Sequence, residues 1–74
     1  MNNILMKIKD NRKRIYILKQ EIAQNDYKIR KIYEYTMVGK PAPYDIYEIH
    51  RTDELKRQEI NKLENEILQL KTQL

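Results

Sequence analysis

The sequence predicts an all-α fold: an antiparallel hairpin of two long helices, coiled-coil in type, that dimerises into a four-helix bundle. Three observations carry this. Apolar residues recur every seventh position through both halves of the chain. The only Gly and the only two Pro of the 74 residues fall together in one stretch near the middle. Finally, a chain this short buries a smaller fraction of its surface than a larger one, and it has no Cys for a disulfide and only one His towards a zinc site. Self-association or a bound partner is the remaining source of stability.

The first helix spans about residues 3–38. Ile8, Ile15, Ile22 and Ile29 form one core series, and Ile4, Asn11, Leu18, Asn25 and Ile32 form the other. These are the a and d positions of a heptad sustained over more than four repeats. At 1.5 Å per residue the helix would run about 50 Å.

The connection covers residues 39–45. Gly39 suits the left-handed conformation that ends a helix, and Pro41 and Pro43 cannot continue one. Asp45 then caps the next helix, and Glu48, three residues on, completes an Asp-x-x-Glu capping box.

The second helix spans about residues 46–74. Its core series are Ile46, Asp53, Ile60, Ile67 and Leu74, and Ile49, Lys56, Leu63 and Leu70. A link this short and stiff favours an antiparallel return, so the 74 residues form one helical-hairpin domain. The link leads us to expect facing residue numbers to sum to about 81 to 85. Asn25, Asp53 and Lys56 then fall at neighbouring levels, and Asn11 falls near Leu70 or Leu74. A buried polar layer of this kind would fix register at a cost in stability, while the plainer reading leaves Asp53 and Lys56 solvated where the pairing loosens. Leu5, Tyr33, Leu55 and Leu68 lie off the core positions and widen the apolar stripe towards a second hairpin. The general form resembles small helix-hairpin regulators that dimerise into four-helix bundles, a resemblance of architecture alone.

Charge and composition narrow the function. Charged residues make up 35% of the chain and the formal net charge is +4. Residues 1–40 carry +6 and residues 41–74 carry −2, so the two helices complement each other. Apolar runs such as Ile4 to Met6 are too short for a membrane span or a signal peptide, which indicates a cytoplasmic protein with no membrane partner. No nucleophile constellation, phosphate-binding loop or metal-ligand set is present, so neither an enzyme nor a cofactor is expected. His50, one residue after core Ile49, reads as a surface residue.

The stretch YEYTMVGKPAPYDIYEIH, residues 33–50, holds four of the six Tyr in a chain without Trp or Phe. Tyr33, Tyr35, Met37, Tyr44 and Tyr47 gather at one end of the rod. In part they fasten the turn, and in part they form a protein-binding surface, since Tyr offers a large rigid area with a water-tolerant hydroxyl and Met adapts. The expected role is a small regulatory or inhibitory protein, of the size and style of phage and mobile-element products, docking on a larger protein through this tip and a helix face. The alternative is non-specific nucleic-acid binding by Lys7, Lys9, Arg12, Lys13, Arg14, Lys28, Arg30 and Lys31 of the first helix, whose affinity would fall steeply with salt. A third possibility is a purely structural oligomerisation element.

Overall fold

The computed structural model describes residues 3–74. Two helices, α1 (Asn3–Met37) and α2 (Ile46–Lys71), pack antiparallel into a rod of 58 × 16 × 12 Å. No helix among the described residues is long and apolar enough to cross a membrane.

The turn forms by the chemistry its residues dictate. α1 ends at Met37, one residue before the expected Val38, because the backbone closes a Schellman motif: Lys40 N donates to Tyr35 O at 3.0 Å and Gly39 N to Thr36 O at 3.1 Å. Gly39 takes φ +72°, the left-handed value only Gly adopts without strain. Asp45 is the N-cap of α2, its Oδ1 accepting from Tyr47 N at 2.9 Å and Glu48 N at 3.4 Å. The reciprocal half of the expected capping box is replaced. The Glu48 carboxylate instead accepts from Arg51 Nη2 at 2.8 and 2.9 Å, an i,i+3 pair along the same helix.

Ile8, Ile15, Leu18, Ile60, Ile67 and Leu70 form the main core, with Ile4, Ile22 and Leu63 packed against it. All lie in the half of the rod nearest the termini. A polar layer follows, in which Asn25 Nδ2 donates to Asp53 Oδ1 at 2.6 Å, with both residues buried. Beside it Lys56 pairs with Glu21 at 3.6 Å. Beyond it, towards the turn, Ile32 and Ile49 are buried separately from the main core.

The Asn25–Asp53 bond fixes the register: facing residue numbers sum to 78, below the expected range. Carried along in heptads, this register sets Ile8 level with Leu70, Ile15 with Leu63, Leu18 with Ile60, and Asn11 with Ile67, where Leu70 or Leu74 was expected. The flanking ion pairs obey it on both sides of the seam, Arg14 with Glu59 at 3.1 Å and Lys19 with Glu64 at 3.9 Å.

Both helix ends differ from expectation for reasons this register supplies. Ile46, the first residue of α2, stands level with Ile32, so the last five residues of α1 overhang the start of the second helix. At the other end α2 stops at Lys71. Thr72, Gln73 and Leu74 each donate a backbone N–H three residues back, tightening the chain into a turn, and Leu74 is consequently exposed and not in the core.

Candidate functional site

The overhang determines how the tip presents its aromatic surface. Tyr33 and Met37 lie on helical turns with no residue of α2 at their level. Tyr33 is exposed, and Met37 and Tyr47 retain 86% and 83% of their possible surface. Heptad phase puts these three on one flank of the hairpin, the flank of Lys19 and Glu64. Tyr35 and Tyr44 fall on the opposite flank and are less open, at 36% and 40%. The expectation that Tyr33 fastens the turn is therefore not met. Tyr44 takes that part instead: Lys28 Nζ lies 5.4 Å from its ring centroid, and Tyr44, Asp45 and Ile49 line a common hollow of about 410 Å³ with Asn25 and Lys28.

The two flanks differ in how they are closed. Arg14 to Glu59, Glu21 to Lys56 and Lys28 to Tyr44 tie α1 to α2 along one flank. Along the other, Lys19 to Glu64 is the corresponding tie, and exposed Tyr33, Met37 and Tyr47 occupy its tip end while Leu5, Tyr16 and Leu68 occupy its terminal end. Leu55 lies on the tied flank, in a hollow with Arg14, Leu18 and Lys56. The off-pattern leucines do not line up as one stripe.

The eight basic residues singled out in α1 wind around the helix and do not follow one line. Lys7, Arg14, Lys28 and Lys31 are on the tied flank, Lys9, Arg12 and Arg30 on the open one, and Lys13 faces outward. Three are engaged: Arg14 with Glu59, Lys28 over Tyr44, and Lys31 over the Tyr27 ring at 5.4 Å. A side-chain hydrogen bond to Tyr27, then the Tyr27 charge and that of Glu34, hold the Lys31 ammonium above its ordinary pKa. The carboxylate of Glu48 likewise raises Arg51.

Heptad reasoning passed over a groove near the termini. Ile8, Tyr16 and Ile17, together with Leu5 and the stems of Lys9, Arg12 and Lys13, line a hollow of about 600 Å³ on α1. Arg12 also borders a second hollow, of about 420 Å³, lined by Ile15, Glu64, Ile67, Leu68 and Lys71. The signal was present in the sequence as apolar Leu5, Tyr16 and Ile17 at outward positions of the repeat. No protein-family model, no curated protein and no solved structure matches this chain.

Proposed function

We propose that this chain is a non-catalytic protein-binding module, a small regulatory or inhibitory protein that docks on a larger protein through its tyrosine-rich tip. The observation that carries the reading is the exposure of Met37 and Tyr47 beside Tyr33 on a turn held by a Schellman motif and an Asp45 cap. A tip fixed in this way loses little conformational freedom on binding, and Tyr and Met there supply area of the kind that dominates binding hot spots. Nucleic-acid binding through α1 is less well supported, because Arg14, Lys28 and Lys31 are already engaged within the hairpin and the remaining cations do not form one track.

The test is an affinity pull-down from a lysate of the source cells at moderate salt, with and without nuclease. Wild type is compared with a Tyr33→Ser, Met37→Ser, Tyr47→Ser variant of verified helicity. The reading expects one nuclease-resistant protein partner that the variant loses. Nuclease-sensitive material recovered equally by both forms would overturn it.

A further inference from the structure

We propose that the groove near the termini is a second docking surface, and that its occupant is an acidic amphipathic helix of a partner protein. The inference deepens the binding-module reading but does not depend on the tip. The two surfaces lie at opposite ends of a 58 Å rod.

The surface is an open face of α1 alone, of the kind on which a second helix packs. Its lining residues 5, 8, 9, 12, 13, 16 and 17 follow helical neighbours along α1 over about three turns, or about 18 Å. The floor is apolar: Ile8 is buried beneath it, and Tyr16 and Ile17 stand beside it at 65% and 48% exposure. An amphipathic helix laid along such a face sets side chains at i, i+3, i+4 and i+7 against it. The rim is cationic, with Lys9, Arg12 and Lys13 on α1 and Lys71 across the adjoining hollow, where Glu64 is the acid.

Charge decides the occupant. A helix carrying Glu or Asp beside its apolar stripe meets that rim favourably, while a basic one is repelled. A second copy of this chain carries a net charge of +4 and is repelled by the rim as a whole, although Glu54 and Glu66 stay exposed on its α2. Within its own hairpin Glu48 is engaged by Arg51, Asp53 by Asn25, Glu59 by Arg14 and Glu64 by Lys19. A duplex polyanion would use the rim but gain nothing from Ile8 and Ile17, which make the face apolar.

The probe is a labelled 21-residue helical peptide with Leu at a and d positions and Glu at the flanking positions, followed by fluorescence anisotropy against the whole chain. The same peptide with Lys in place of Glu, a 20-base-pair DNA duplex and phosphatidylserine vesicles are run in parallel. The acidic peptide binds at least tenfold more tightly than the Lys form. Ile17→Ser and the Lys9→Glu, Arg12→Glu, Lys13→Glu variant each weaken it at least fivefold, while Tyr47→Ser leaves it unchanged. All three variants alter exposed positions, and circular dichroism verifies their helicity. Equal binding of the two peptides, or none of either, overturns the proposal. So does DNA or vesicle binding that the triple charge reversal abolishes and Ile17→Ser does not touch, and so does concentration-dependent self-association in sedimentation that Ile17→Ser removes. Loss of the peptide by Tyr47→Ser would place the site at the tip and likewise overturn it, whereas failure of the lysate experiment with this titration intact leaves the groove standing and removes only the tip.

Discussion

Asn25 and Asp53 meet across the seam of the hairpin at 2.6 Å, the amide donating to a carboxylate that is 1% exposed. Heptad geometry alone permits more than one register, because sliding one helix by a repeat sets apolar positions opposite apolar positions again. At the observed sum of 78 the two polar core residues satisfy each other. One repeat away, at about 85, Asn25 would face Ile60 and Asp53 would face Ile32, leaving two buried polar side chains without partners. The flanks agree: the slipped register sets Glu21 against Glu59 and Asp26 against Glu64, where the observed one makes Arg14–Glu59 and Lys19–Glu64 pairs.

Replacing both Asn25 and Asp53 by Leu should therefore preserve stability while loosening register. The chain has no Cys, so engineered pairs report register without interference. In the wild-type background Ile15→Cys with Leu63→Cys oxidises readily and Ile15→Cys with Leu70→Cys does not, since the first pair is level at the observed register and the second only at the slipped one. In the double-Leu background the second pair gains cross-linking. Identical cross-linking in the two backgrounds would show that the polar layer does not set the register.

Single substitutions at the two core asparagines should act with opposite signs. Asn25→Leu strands the Asp53 carboxylate and costs about 2 to 3 kcal/mol, the penalty for a buried charged group that loses its partner. Asn11 Nδ2, in contrast, is buried with no hydrogen-bond partner among the described residues. Asn11→Leu, at the level of Ile67, stabilises by about 1 to 2 kcal/mol. Urea denaturation at constant slope measures both, and destabilisation by Asn11→Leu would mean that the amide is satisfied in solution.

The turn should respond to backbone conformation and not to crowding. A Cβ at position 39 meets nothing within 4 Å, yet the φ of +72° still strains any L side chain, so Gly39→Ala costs about 1 kcal/mol. Asp45→Ala costs about 1 kcal/mol by stranding the Tyr47 and Glu48 amides, while Asp45→Asn, which caps as well, is near neutral. Equal losses in the Ala and Asn variants at position 45 would assign the effect to charge instead of capping.

The helices, the turn and the cap were legible because each is written locally, in the seven-residue spacing, in Gly39 with its two prolines and in Asp45. The register was legible too, though loop length was the wrong guide to it. The eight residues from Val38 to Asp45 fold back alongside an overhanging α1 and do not bridge two flush ends, so loop length does not fix the level of the helices. Asn25, Asp53 and the flanking charges contain the answer, provided the permitted registers are compared one against another. The division of the tip tyrosines was not legible, since it depends on where α2 begins relative to the last turns of α1. The apolar face near the termini was written in the sequence but overlooked, because Tyr16 and Ile17 occupy positions that a core-seeking heptad discards.

That division makes the tip separable by mutation. Tyr47 is 83% exposed, so Tyr47→Ser removes almost no buried area and should change stability by less than about 0.5 kcal/mol. Tyr44 is half as exposed, carries Lys28 over its ring and lines the hollow beside the α2 cap, so Tyr44→Ser should cost about 1 kcal/mol from lost packing and the cation–π contact. Lys28→Met, which keeps most of the packing without the charge, should cost less than Tyr44→Ser. Paired denaturation curves of the three variants decide this. If Tyr47→Ser proves as costly as Tyr44→Ser, Tyr47 is packed in solution, and a loss of binding in any variant carrying it would report folding and not recognition.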